Sequence, residues 1–364
     1  MARLTRDQWR QLAFRALEQF LAERGGAVVW PEVEATLAES DWLHRRLDPS
    51  IPRNWVVDPH HLTWARQALA EVGRIARDAQ ELSGREVVAW VDPRAPAERR
   101  KTEVVRLAAR KRRAYRSYLS WTTAKLCGDI AESIVDATLR RLGGRIVWLD
   151  EQKPGSVYRL QGVEIPGGPL DSAGHWAIDP SDPGAGFVPF AVEVKNVRST
   201  IYPRSREMWD LLAKVGHFPD VVPILVTRRL HWTTFRFLKD IGALAYMGER
   251  QWFSPSIDTD EFNRIARFFG FDDAIQVTNP GASNEALAEF FSRRLYRTRE
   301  DANAPLMLAA RDRWKQVASV CAAYDELRKD LGGEERLELW KQFIEDLGET
   351  GVEPSGWASP DPAG

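Results

Sequence analysis

The chain has 364 residues, 51 of them basic and 52 acidic, for a formal charge of −1. Hydrophobic residues are 44% and charged residues 28%, which excludes a mostly disordered chain, a collagen-like chain and a coiled-coil rod. At roughly 100–200 residues per domain the length predicts two or three domains, and net charge alone gives no hint of a nucleic-acid partner.

Polar residues interrupt the N-terminal MARLTRDQWRQLAF, so it lacks the apolar region of a signal peptide. No apolar run approaches the ~18–20 residues that span a bilayer. The expectation is a soluble, cytoplasmic protein with no membrane partner. Cys127 and Cys321 are too few for a disulfide scaffold or a four-cysteine zinc site, and both are expected to be buried free thiols.

From Thr5 to Ala22, Trp9, Leu12, Ala13, Ala16, Leu17, Phe20 and Leu21 recur at helical spacing, with Thr5 as the N-cap. Gly25-Gly26 ends that helix, Ala27–Trp30 reads as a short strand, and Pro31 opens a second helix over Glu32–Glu39. After a loop from Ser40 to Pro59, a third helix runs from about His60 to Val72. A polar turn around Ser83-Gly84 leads to the β-rich run Glu86–Val91. Three helices followed by a two-stranded wing resemble a winged-helix domain over residues 1–92. The resemblance implies DNA binding, with the third helix as reader. The competing reading is a protein-docking module.

Residues 93–125 read as a basic connecting helix. Between Arg94 and Arg116 lie ten basic residues against two acids, Glu98 and Glu103. Arg99, Arg100, Lys101, Arg110, Lys111, Arg112 and Arg113 are therefore candidate nucleic-acid contacts, since such density suits phosphate neutralisation. The alternative is pairing with the C-terminal region, where residues 324–353 hold ten acids and four bases.

Residues 126–253 alternate helix and strand, and 254–350 read as a C-terminal helical region. The Pro/Gly-rich tail 351–364 is expected to be disordered. In the alternating part, Gly128 to Leu142 forms a helix carrying Glu132, with Asp129 and Asp136 expected on its exposed face. Arg145–Trp148 is a short strand, and Pro169–Asp179 and Phe187–Asn196 form a hairpin candidate. Glu193 and Lys195 end an apolar strand two residues apart, so their side chains emerge on the same side. With the turn near Pro183–Ala185, Asp171 falls beside that pair and Asp179 falls at the turn. Hairpin geometry favours Asp171 as the partner carboxylate, while Asp179 has the shorter sequence gap and stays an alternative. His175 on the same hairpin reads as a packing histidine, and His60-His61 lack partners at zinc spacing.

Glu132, Asp171 (or Asp179), Glu193 and Lys195 resemble the motif of the PD-(D/E)xK, or restriction-endonuclease-like, nuclease superfamily. The resemblance covers about 120–250. It departs from the pattern in having Leu170 before the aspartate, with Pro169 one position earlier, and in the long gap from Asp171 to Glu193. It implies an α/β fold with a restriction-endonuclease-like mixed-sheet core and a metal-dependent endodeoxyribonuclease. The implied metal is Mg²⁺, with Mn²⁺ as substitute, held by Asp171, Glu193 and the Val194 carbonyl, with Asp179 as the alternative ligand. Lys195 would orient the attacking water and Glu132 would assist. Asn196, Arg198 and Arg204 follow the motif as phosphate-contact candidates.

The resulting expectation is a DNA endonuclease of restriction or antiphage defence, acting on double-stranded DNA. A homodimer is expected if the product is a double-strand break, and defence-system partner proteins are a further expectation. The rivals are a DNA-binding regulator with an inactive nuclease fold, a structure-specific repair or RNA nuclease, and an assembly subunit.

Overall fold

The computed structural model describes residues 4–82, 85–94, 98–143, 146–148, 157–279, 281–299, 304–329 and 331–352. The tail beyond 352 and the side chains of Arg99, Arg100 and Lys101 lie outside the described residues.

The first elements in chain order are α1 (Arg6–Glu23), β1 (Ala27–Val28), α2 (Trp30–Val33), α3 (Pro59–Glu71), β2 (Ala76–Leu82), β3 (Arg85–Val91) and α4 (Glu98–Thr123). Next come α5 (Gly128–Arg141), β4 (Ile146–Trp148), β5 (Ser172–Ala177), β6 (Phe187–Lys195), α6 (Arg206–Gly216), β7 (Val222–Thr227), α7 (Trp232–Ile241) and β8 (Leu244–Met247). The remaining principal helices are α8 (Thr259–Phe269), α9 (Glu285–Ser292), α10 (Leu306–Ala323) and α11 (Gly333–Glu349). The fold is mixed α/β.

The chain divides into two compact units. The first takes the described residues up to Ala124 together with Ile257–Ala274. Here α1 begins with a capping box, in which the Thr5 hydroxyl accepts from Gln8 N and Gln8 Oε1 accepts from Thr5 N. Leu12, Ala16, Leu17 and Phe20 of α1 meet Leu62, Ala65 and Leu69 of α3 in one apolar core. The sheet order is β1-β3-β2, antiparallel throughout. The two-stranded wing expected from the sequence is β2 and β3, although the residues ARDAQEL of β2 show no apolar alternation that would mark its bounds. Its seven-residue ladder to β3 supplies what side-chain packing does not. The second helix is also shorter than expected: α2 passes after Val33 into a wider helical turn over Glu34–Ala38.

The connecting helix does not stand alone. Lys111 on α4 reaches into this first unit and donates to both Glu32 oxygens, at 2.8 and 2.7 Å. Arg112 pairs with Asp78 of β2. Burying such charges is tolerable only with a partner in place, and these two pairs fix α4 to α2 and β2.

The second unit holds Lys125–Ser256 and the chain from Ile275 onward. Its five-stranded sheet has the order β8-β7-β6-β5-β4. The pairs β4–β5 and β5–β6 are antiparallel, whereas β6–β7 and β7–β8 are parallel, joined through the crossovers α6 and α7. Strand β6 is buried along Phe190–Val194, which explains its apolar run. Phe190, Val192 and Val194 share a core with Ile130, Ile134 and Val135 of α5. Ala191 belongs to the core with Trp209, Leu212 and Val215 of α6.

The C-terminal helices likewise are not a separate region. Trp314, Val317 and Cys321 of α10 and Trp340 and Phe343 of α11 complete the α6–α7 core. Close approach is possible because Gly216 and Gly242 carry no Cβ: one at Gly216 would lie 2.6 Å from Ala322 N, and one at Gly242 2.4 Å from Ala310 O. The helix that opens the expected C-terminal region, α8, belongs to the first unit instead. Asp136, expected on an exposed face, is buried and accepts from Arg140 Nε at 2.7 Å. Both cysteines are buried free thiols. No helix among the described residues is long and apolar enough to cross a membrane.

Candidate active site

Hairpin register decides which aspartate meets the Glu-Val-Lys segment. Ser172 pairs with Val192, so Asp171 stands opposite Glu193 at the next position. Strand β5 begins at Ser172, and just before it the Asp171 side chain extends the ladder: its Oδ2 accepts from Val194 N at 2.6 Å. Asp179 sits at the turn end of the hairpin, exposed, where its Oδ1 accepts from Ser181 N at 2.8 Å. The structure therefore brings Asp171, and not Asp179, to Glu193 and Lys195.

Strand alternation sends Glu193 and Lys195 toward α6. Lys195 Nζ donates to Glu193 Oε1 at 2.8 Å and to Asp210 Oδ2 of α6 at 2.9 Å. Lys214, one helical turn beyond Asp210, donates to the Pro169 carbonyl at 2.7 Å and lies 3.4 Å from Glu193 Oε1. Lys214 thus ties the segment that delivers Asp171 to the carboxylate of Glu193. Arg328 supports Asp210 from behind, with Nε 3.6 Å from Asp210 Oδ1 and Nη2 donating to the Gly167 carbonyl at 2.6 Å.

The sequence reading missed Asp210, Lys214 and Arg328. The signal for the first two was present: they stand at i and i+4 within the otherwise apolar stretch MWDLLAKV, a charged pair on a face that packs inward. No local pattern marks Arg328.

Glu132 lies half-buried on the first turns of α5. Its pKa is raised by burial, and by the carboxylates of Asp129 and Glu193. Asp171 is pushed up to about 8, by burial first and then by the negative charges of Glu193 and Glu132. Burial would lower the Lys195 pKa, but Glu193 and Asp210 outweigh it and hold the ammonium well above its ordinary value. The site therefore combines a permanent cation with carboxylates that crowd one another.

Asn196, expected to contact phosphate, is buried and employed otherwise. Its Nδ2 donates to the carbonyls of Cys127 and Trp252 at 2.8 and 2.7 Å, and its Oδ1 accepts from Trp252 N. It pins the start of α5, and so Glu132, to the end of β6. Arg198 is also buried, which removes it from a surface role. Arg204 is half-buried, and its carbonyl accepts from Arg336. Lys111 and Arg112 are 2% exposed and paired with Glu32 and Asp78, so they too are withdrawn from any phosphate. Arg110 and Arg113 remain exposed. His175 is half-buried against Phe187 and burial lowers its pKa, in keeping with a packing histidine.

Among the described residues no group of three or more His, Cys, Asp or Glu is placed to hold a metal ion. The donor set is instead two carboxylates, Asp171 and Glu193, and the Val194 carbonyl. Such a set fits a hard cation that keeps much of its water, as Mg²⁺ does. Burial first, and then the negative charges of Glu193 and Glu132, disfavour the Asp171 carboxylate, and a cation at this position would offset both. None of the known protein families, curated proteins or solved structures compared with the chain matches it.

Proposed function

We propose that the protein is a Mg²⁺-dependent nuclease that hydrolyses phosphodiester bonds in DNA, built on a restriction-endonuclease-like core with a winged-helix-like N-terminal unit. The single observation that carries the reading is the register of the central hairpin. It sets Asp171 across from Glu193, with Lys195 two residues on and facing the same side. A helix, three antiparallel strands, a crossover helix and a parallel strand surround this motif, which supports the same reading.

Asp171, Glu193 and the Val194 carbonyl would hold the metal. The bound cation would supply a more acidic water and polarise the phosphate. Lys195 remains protonated because Glu193 and Asp210 flank it. It therefore acts as a cation and hydrogen-bond donor toward the phosphate or the attacking water, rather than as a proton acceptor. Glu132 faces the same charges from α5 and would assist by accepting a hydrogen bond from a metal-bound water. Lys214 and Asp210 position: one fixes Glu193 and the Asp171 segment, the other fixes Lys195.

A reader unit joined to a cutter suits restriction or antiphage defence, an analogy at the level of fold. One observation favours a second reading, a DNA-binding regulator without activity: Lys195 and Lys214 both already balance Glu193. A cleavage assay on plasmid and phage DNA with Mg²⁺, Mn²⁺ or chelator separates the two. Metal-dependent cutting by the native chain that Glu193→Gln and Lys195→Ala each abolish is the nuclease result. No cutting of any DNA with either metal, alongside retained binding, refutes it.

A further inference from the structure

The winged-helix resemblance makes α3 the DNA reader, yet α3 is poorly charged for it. Its one arginine, Arg66, packs over the rings of Trp30 and Trp90, at 4.5 and 5.0 Å from their centroids. Its exposed positions carry Gln67, Ala70 and Glu71. A protein that grips a polyanion needs cations elsewhere.

The first unit has them in a cleft of about 870 Å³ between α4 and α8. On α4, Arg110, Arg113 and Ser117 stand three to four residues apart on one face. On α8, Asp260, Asn263, Arg264 and Arg267 repeat the same spacing, while Phe262, Ile265 and Phe269 bury the opposite face. Arg24, at the end of α1, completes the lining. The cleft so gathers five arginines against one lining acid, with Arg24 paired to Glu32 at 3.3 Å and Arg264 to Glu261 at 3.7 Å. Among the described residues, Arg113 and Arg267 have no ion pair or hydrogen bond to their side chains, and both are exposed. Phe268 supports Arg110 from below, 5.8 Å from the guanidinium carbon.

We propose that this cleft binds the phosphodiester backbone of a nucleic acid and is the principal electrostatic contact of the first unit, which α3 is not. The choice of nucleic acid as ligand rests on the nuclease reading above; the need for a phosphate-bearing anion rests on the cleft itself. Guanidiniums in fixed forks suit phosphate oxygens. Contacts of this kind to phosphate position the substrate without reading its sequence.

The test uses the full chain carrying Lys195→Ala, in chelator, with a fluorescent 20-base-pair duplex and fluorescence anisotropy across a salt series. Arg113→Ala with Arg267→Ala removes two exposed cations, and matching thermal melts establish that the double variant folds. The expected result is at least a tenfold weaker Kd at low salt, and a log–log salt slope shallower by about 2. Lysine at both positions should restore most of the slope. Unchanged affinity and slope overturn the proposal, as does failure of the parent to bind duplex at all. ATP binding that the double variant loses, with duplex binding unaffected, also overturns it and makes the cleft a nucleotide site. Because binding is measured without metal or cutting, a cleft that binds DNA in a chain that never cleaves overturns only the nuclease reading.

Discussion

Replacing Asp171 by asparagine should stabilise the protein while abolishing the proposed cleavage. The amide keeps the shape of the side chain, and its oxygen can still accept from Val194 N. What it removes is a carboxylate forced among Glu193 and Glu132 in a buried setting. Asp171 rises from the ordinary 3.8 to about 8, so the folded chain binds its proton more tightly than the unfolded chain does. Stability is then greatest while the group is protonated in both states and falls as pH climbs from about 4 to about 8, levelling beyond. At about 1.4 kcal/mol per unit, the penalty at pH 7 is on the order of 4 kcal/mol. For a unit of this size that is roughly 10 °C in Tm. Thermal melts of native and Asp171→Asn chains in chelator, from pH 5 to pH 9, read the difference directly. The gap should widen up to about pH 8 and stay constant above. Excess Mg²⁺ should narrow it, by offsetting the charge in the native chain alone. Melting profiles that run parallel across the whole range would refute the claim that crowded carboxylates strain this site.

Lys214→Met should lower kcat about tenfold with KM little changed, since Lys214 orients Glu193 and the Asp171 segment and is not placed on the substrate; a change confined to KM would contradict that role. Lys111→Met leaves the buried Glu32 carboxylate with Arg24 alone, 3.3 Å away. It should cost the first unit about 3 kcal/mol in urea titration, and raise Glu32 further above its ordinary pKa. Gly242→Ala places a methyl against the Ala310 carbonyl at a backbone φ of +81°. A loss of 2 kcal/mol or more is expected on denaturation, and a neutral result would mean that α7 and α10 are not packed as closely as described.

Much of this molecule can be read along one dimension. The N-cap at Thr5, the apolar spacing of α1, α3 and α5, the buried β6 run and the shared side of Glu193 and Lys195 all follow from residues close in the chain. Counting residues back from the turn favoured Asp171 but left Asp179 open, and the ladder register decided between them. The wing was legible as a hairpin, but the extent of β2 was not, because a polar strand held by its partner's ladder carries no pattern of its own.

What only the tertiary structure decided is the use to which charges are put. In sequence, Arg110, Lys111, Arg112 and Arg113 are equivalent; on a helix packed along one side, two are buried against Glu32 and Asp78 and two face water. Asn196 beside the motif stitches backbone instead of reaching outward, while Asp210 and Lys214, some fifteen to twenty residues downstream, close around Glu193 and Lys195. Periodicity fixes which face of an element is apolar, because that depends on neighbours a few residues away. Whether a charge is paired, buried or free depends on chain segments tens to hundreds of residues distant, and those meet only when the cores assemble.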